Sequence, residues 1–433
     1  MKWVASLSLF LTLLVVGTHS ATITTSSPTA PTAENNDRRV VCYWNSWSYY
    51  RKGKGKSLVQ KLDTRPCTHL VYNTVGIRGA EVVSSDPWND YSDSGGNGNL
   101  RRFANLKKRN GALKLLVAVG GQSLGSVPFS KLALSDKHRK EFADSGVAFC
   151  REHRVDGLVL TWHYPASGGG RPQDKDNFVL LLREMKTAFN KAKLQLGVDL
   201  SVAREIVANG YNLPEIAKNV DFMTVNAFDY WGVWSGRTGP VAPLHGLSES
   251  DYTTASVSYS INSYLKTGVP RSKIVLAITT LGRTWTLNDT SNVGYGAFTS
   301  EGGPAGNYTQ TSGALGYNEI CESMKKDKWV VNYDKGLKAS YAVLLPTWIS
   351  YEDPQSAKDK TQVKSRVLVS PVEKNSSEWK SESVQAAFAR EKQLGGIAIV
   401  TLDTDDFDGN CGDPLPILNT AAKEFLGTED EST

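Results

Sequence analysis

From Val40 onward, short apolar runs alternate with longer stretches in which apolar residues recur every three or four positions. The short runs are Val40–Trp44, His69–Val75, Lys114–Val119, Asp156–Trp162, Leu196–Val202, Phe222–Phe228, Ile274–Thr280 and Ile397–Leu402. The longer stretches include Lys137–His153, Lys175–Lys193, Tyr252–Lys266 and Ser381–Gln393, which carry helical spacing. Eight strand-like runs with helical crossovers predict an α/β fold whose parallel strands close into a barrel. The spacing breaks once, between the seventh and eighth runs. That gap holds its own strand-like pieces, Trp329–Tyr333 and Tyr341–Leu345, and predicts an α+β insertion over residues 285–380. Within it, Arg366–Ser383 is polar and charged and reads as an exposed excursion. In such barrels the chemistry sits at the C-terminal ends of the strands, so those positions are the ones to search.

The pattern changes at both ends. Met1-Lys2-Trp3, an apolar stretch from Val4 to Gly17 and then Thr18-His19-Ser20-Ala21 have the form of a secretory signal peptide over residues 1–20. The apolar part is shorter than the ~18 residues a bilayer span needs, and no later stretch reaches that length. Residues 21–38 are Ser, Thr, Ala, Pro and Asn with almost nothing apolar, and are expected to form a disordered arm. The barrel with its insertion is expected over 39–427, followed by an acidic tail at 428–433. The chain is therefore expected to be secreted and extracellular.

Five cysteines suit an exported chain with two bridges and one free thiol. Cys150 shares a helical face with Phe142, Gly146 and Phe149, and reads as a small buried hydrophobe rather than a nucleophile. Asn288, Asn307 and Asn375 open N-glycosylation sequons. The net charge of +5 is spread among interleaved acids. The basic patches Arg51–Lys56 and Lys107–Arg109 lack the stacking aromatics of a nucleic-acid stripe, so they read as solvated faces. The six histidines show no metal-ligand spacing, and the acidic run Asp403–Asp408 reads as loop capping rather than a calcium site. No metal and no cofactor are expected.

The segment Asp156-Gly-Leu-Val-Leu-Thr-Trp-His-Tyr-Pro165 resembles the signature strand of the family 18 glycoside hydrolases, D-G-x-D-x-D-x-E-x-P. Val41-Cys-Tyr-Trp-Asn-Ser-Trp, Cys67-Thr-His-Leu-Val-Tyr, Ala118-Val-Gly-Gly, Asp221-Phe-Met-Thr-Val, Gly282-Arg283 and Asp403-Thr-Asp-Asp-Phe407 follow in the family's order. The resemblance implies an eight-stranded TIM-type (β/α) barrel with chitinase ancestry. It also implies the bridges Cys42–Cys67 and Cys321–Cys411. In the family the three alternate acids donate a proton, hold the substrate's own acetamide as nucleophile, and tune that second acid's charge. Here those positions are Val159, Thr161 and His163, which share one face of the strand. Of the three, only His163 can carry a proton near neutral pH.

The same resemblance implies a partly dismantled sugar cleft. The family's floor tryptophan corresponds to Val400, the tryptophan after the third strand to Gln122, and two tyrosines to Phe228 and Leu281. Tyr43, Trp47, Tyr50, Asp229, Trp234 and Arg283 match retained cleft positions, and Trp231 adds an aromatic nearby. Tyr43 and Trp47 also fit core packing, while Asp229 and Arg283 also fit an internal ion pair. The leading expectation is a secreted, non-enzymatic chitinase-like protein, either binding a glycan such as chitin or a chito-oligosaccharide or signalling through its degenerate cleft, with an extracellular protein as a further candidate partner. Two other readings stand beside it: a weakly active chitinase using His163, and a protein-interaction scaffold without a glycan site.

Overall fold

The computed structural model describes residues 38–247, 253–361 and 388–427. The expected signal peptide, most of the arm, the excursion at 366–383, Asn375 and the acidic tail lie outside the described residues. Eight parallel strands close into a barrel: β1 (Arg39–Asn45), β2 (His69–Arg78), β3 (Lys114–Gly120), β4 (Gly157–Thr161), β5 (Gln195–Ser201), β6 (Phe222–Asn226), β7 (Ile274–Thr279) and β8 (Gly396–Val400). Each strand pairs with its neighbour in sequence, and β1 pairs with both β2 and β8, which closes the ring.

Alternation along each strand sorts the side chains onto two buried faces. Val40, Cys42 and Trp44 of β1, Leu158 and Leu160 of β4, and Leu196, Val198 and Leu200 of β5 point outward into the layer beneath the helices. Val41, Tyr43, Val71, Leu116, Ala118, Val159, Phe222, Val275, Ala277 and Ala398 fill the interior. Because both faces are buried, the strands read as nearly continuous apolar runs rather than clean alternations.

The fixed part of the β4 signature has structural work of its own. Asp156 accepts from the Leu115 backbone N–H at 2.7 Å and from Lys107 Nζ at 2.6 Å, pinning β4 beside β3. A Cβ at Gly157 would lie 2.0 Å from the Gln195 carbonyl oxygen, so only glycine lets β4 and β5 meet there. Asp221 repeats the device two strands on, accepting from Leu196 N at 2.7 Å and Lys186 Nζ at 2.6 Å.

The helices follow their spacing closely: Asp136–His153, Asp174–Ala192 and Val257–Lys266. The last starts later than the periodicity suggests, because Ser256 is its N-cap and accepts from Tyr259 N. Of the stretch Ser381–Gln393, the described part is helical over Phe388–Glu391. Cys150 is buried on its helix face, and the bridges Cys42–Cys67 and Cys321–Cys411 both form.

Directly after β7 the chain builds an antiparallel sheet in the order Thr299–Gly302, Leu281–Leu287, Thr347–Tyr351, Ala339–Leu344, Val330–Asp334, beside the helix Tyr317–Lys326. Its core centres on Trp285 and Trp348, whose rings meet edge-on at 5.3 Å. This sheet forms one wall over the C-terminal mouth of the barrel. Asn288 and Asn307 are exposed within it. Among the described residues, no helix is long and apolar enough to cross a membrane.

Candidate functional site

The C-terminal ends of the strands open into a cleft of ≈1410 Å³. That exceeds the roughly 300–1,000 Å³ of a drug-sized pocket and suits an extended ligand. Trp47 and Tyr50, on the turn after β1, line one end and are about half exposed. Trp234 lines the opposite wall and is 64% exposed. The loop Tyr308–Thr311 of the insertion also lines the cleft, held by Glu319, which accepts from Tyr308 N and Thr309 N.

The signature face of β4 divides between two depths. Thr161 and His163 line the cleft, whereas Val159 sits one layer lower with no exposure, packed in the barrel interior. His163 stacks on Tyr164 at 4.5 Å and 20° between planes. Burial lowers its pKa to about 4, because desolvation penalises the imidazolium and no carboxylate compensates.

Asp229 and Arg283 form a bidentate pair, with Nε to Oδ1 at 2.7 Å and Nη2 to Oδ2 at 2.6 Å. The guanidinium also lies 5.4 Å from the Trp234 ring. The pair therefore braces the end of β6 against the insertion and holds the Trp234 wall, the internal-pair alternative left open by the sequence. Gln122, Phe228, Leu281 and Val400 all line the cleft, where their side chains provide amide and aliphatic surface and one phenyl ring.

Trp231 departs from expectation. It is 5% exposed and packs with Trp285, Leu287, Ala297, Val343 and Trp348 in the core of the insertion, outside the cleft lining. Trp234 follows only three positions later, but the chain turns between them, so sequence proximity did not carry over to the wall. The acidic run is used internally: Asp403 pairs with Arg51 at 2.8 Å, Asp405 accepts from Leu418 N, and Asp406 accepts from Asn410 N and Cys411 N. Burial pushes the Asp405 carboxyl up to about 7.

Two features escaped the sequence reading. Trp88 is half exposed and lies 6.2 Å from Tyr50, beside the aromatic end of the cleft but outside its lining. Asp199 of β5 lines the floor of the cleft, where Tyr43 Oη donates to Oδ1 at 2.5 Å and Thr161 Oγ1 to Oδ2 at 2.9 Å. Tyr43 is buried, its ring packed in the barrel interior, and it lines the base of the cleft beside this network. Burial drives the Asp199 carboxyl up to about 6 against the pull of its hydroxyl donors. The available signal was a lone acid of inward parity within the apolar run Leu196–Val202.

The model of the glycosyl hydrolases family 18 matches residues 39–368. The chain belongs to that family. Among its relatives, probable chitinase 2 of Drosophila melanogaster is 33% identical over 93% of this chain and 79% of its own length. Probable chitinase 10 of the same fly is also 33% identical, and there the chain spans only 17% of the relative's length. The Group IV chitinase of Ostrinia furnacalis superimposes with a TM-score of 0.81 at 33% identity, covering 90% of this chain and 99% of the other. Human YKL-39, described as a pseudo-chitinase with retained chitooligosaccharide binding properties, gives a TM-score of 0.76 at 29% identity, covering 90% and 100%.

Proposed function

We propose that this chain is a secreted, non-enzymatic member of family 18 that binds chito-oligosaccharides in its cleft. The observation that carries the reading is a cleft of full size with a rim of exposed aromatics, above a β4 face that offers only Val159, Thr161 and His163. Aromatic faces and a few directed polar groups are what saccharide sites use. Acid-assisted cleavage needs a group that can deliver a proton. Valine has none, and threonine's is held by Asp199. With a pKa of about 4, His163 would be protonated in about one molecule in a thousand at pH 7. Loss of general acid catalysis alone removes roughly 10²–10⁴ in rate.

The YKL-39 likeness supports the separation of binding from turnover, since that protein is described as keeping the first without the second. Exposed sequons at Asn288 and Asn307 and two disulfides support secretion. The deciding experiment pairs calorimetric titration with tetra-N-acetylchitotetraose and a hydrolysis assay on one preparation. Binding without product supports the proposal. Product formation that disappears in His163→Ala would replace it with a weak hydrolase, and no binding would leave the loop surfaces as the carriers of function, with a protein partner.

A further inference from the structure

Tyr308, Thr309, Gln310, Thr311 and Ala314 line the cleft, and the chain enters that wall at Asn307, which is exposed and lies just outside the lining. The loop is held on both sides of Asn307. Glu319 accepts from Tyr308 N at 2.5 Å, Thr309 N at 3.2 Å and Gly316 N at 3.1 Å, and Tyr308 Oη donates to Glu322 Oε2 at 2.7 Å. A Cβ at Gly306 would lie 2.2 Å from Glu319 Oε1, so the residue before Asn307 is pressed onto the same carboxylate. A Cβ at Gly55 would lie 2.4 Å from the Tyr308 Cβ, which seats Tyr308 on the chain shortly after Tyr50. Asn307 therefore borders the end of the cleft where Trp47 and Tyr50 stand half exposed.

Asn307, Tyr308 and Thr309 form a sequon, as Asn288, Asp289 and Thr290 do, but the two stand in different places. Asn288 follows the strand Leu281–Leu287, its backbone N–H donating to Phe298 O at 3.1 Å, and among the described residues none from 284 to 307 lines the cleft. An N-linked glycan begins with two β-1,4-linked N-acetylglucosamines, the disaccharide that chito-oligosaccharides repeat. On Asn307 such a stem starts at the cleft wall, beside two exposed rings of the kind saccharides stack on. On Asn288 it starts away from the cleft.

We propose that the N-linked glycan of Asn307 is a tethered ligand of the cleft: its chitobiose stem folds back over residues 308–311 toward Trp47 and Tyr50 and competes with free chito-oligosaccharide. This rests on the secreted, glycan-binding reading and adds a regulation of that same site, in which glycan processing sets how open the cleft is. Tethering turns a bimolecular encounter into an intramolecular one at an effective concentration of the order of millimolar. A stem whose own Kd is about a tenth of that concentration weakens binding of the free ligand about tenfold. The chemistry of the β4 face is compatible with such self-occupation. Val159, Thr161 and His163 offer no ready proton to the glycosidic oxygen, so the bound stem stays uncut.

The test measures Kd for tetra-N-acetylchitotetraose by calorimetry on the full chain secreted from a eukaryotic host, with occupancy of each sequon read by mass spectrometry. The parent is compared with Asn307→Gln, with Asn288→Gln, and with parent trimmed by an endoglycosidase that leaves one N-acetylglucosamine at each site. Asn307→Gln and the trimmed parent should both bind about tenfold more tightly than the parent, and Asn288→Gln should match the parent. Trimming involves no substitution, so the effect is readable even where Asn307→Gln folds poorly. Trimming Asn307→Gln in turn should leave its Kd unchanged. An unoccupied Asn307, or one Kd shared by parent, Asn307→Gln and trimmed parent, overturns the inference and leaves the glycan-binding reading intact. Equal gains from Asn288→Gln and Asn307→Gln also overturn it, because crowding by any surface glycan then accounts for the effect. No binding by any of these forms overturns both.

Discussion

Placing glutamate at residue 163 restores a proton donor at the height of the old acid, and the surrounding geometry argues that little turnover will follow. Thr161 remains unable to carry charge next to the reacting sugar, and the cleft offers Val400 where a flat ring would stack. Groups that act as a unit are strongly non-additive, so one member alone recovers little. The full repair, Val159→Asp with Thr161→Asp and His163→Glu, meets a specific obstacle. Thr161 Oγ1 lies 2.9 Å from Asp199 Oδ2, so a carboxylate at residue 161 would stand against one already present. Two such charges about 4 Å apart repel by about 4 kcal/mol at an effective dielectric of about 20. The pair would relieve this by sharing a proton, which leaves residue 161 coupled to Asp199 and titrating as a dyad.

Val159→Asp adds a second penalty. It buries a carboxyl among Val41, Val71 and Leu116, none of which has any exposure. An uncompensated buried charge of that kind costs about 3–5 kcal/mol. The assay is release of a fluorophore from a chitobiose glycoside between pH 5 and 8, with thermal melting of each variant alongside. The parent and His163→Glu should give no product above a His163→Ala control, and the triple variant at most a weak rate. Adding Asp199→Thr to the triple should raise both its melting temperature and its rate by removing the dyad. Equal rates and melting temperatures with and without Asp199→Thr would refute the dyad argument. Hydrolysis by the parent well above His163→Ala would refute the pseudoenzyme reading altogether.

Other consequences can be checked more simply. Replacing Cys321 and Cys411 with serine opens a loop of 90 residues and should lower stability by about 2–4 kcal/mol, read from denaturant unfolding. Trp47→Ala removes an exposed ring at the cleft end and should weaken chito-oligosaccharide binding about three- to tenfold, from a stacking contribution of about 0.5–1.5 kcal/mol, with little change in melting. Arg283→Ala leaves Asp229 without its bidentate partner; because both groups keep some solvent contact, the expected loss is about 1–2 kcal/mol, less than for a fully buried pair. Secreted protein treated with an N-glycosidase should run faster on a gel, and unchanged mobility would dismiss the sequons at Asn288, Asn307 and Asn375.

The barrel was legible because its strands are buried on both faces, which writes long apolar runs that few other folds need. The two bridges and the order of motifs were legible through the family resemblance rather than through spacing. The insertion's strands showed as apolar pieces, but its hidden core did not. Trp231 and Trp234 are both tryptophans near a strand end, and nothing local distinguishes the one that packs on Trp285 and Trp348 from the one that lines the cleft. Asp199 was hidden for a different reason. The signature strand marks only the positions where the family's acids belong, and this carboxyl on β5 lies nearly forty residues from them in sequence while touching Thr161 in space.

That contact bears on how the signature strand came to keep some of its residues and not others. Asp156 and Gly157 hold β4 to β3 and β5 through bonds that do not depend on what lies farther along the strand. Val159, Thr161 and His163 are free of that duty, so their acids can be exchanged without unravelling the sheet. Exchange alone, however, would leave the interior between β4 and β6 without charge, and the hydroxyls of Tyr43 and Thr161 without a carboxylate to accept from them; Asp199 supplies both from the neighbouring strand. A barrel drifting toward simple stability would have placed an apolar side chain there, since burying this carboxyl is unfavourable at neutral pH.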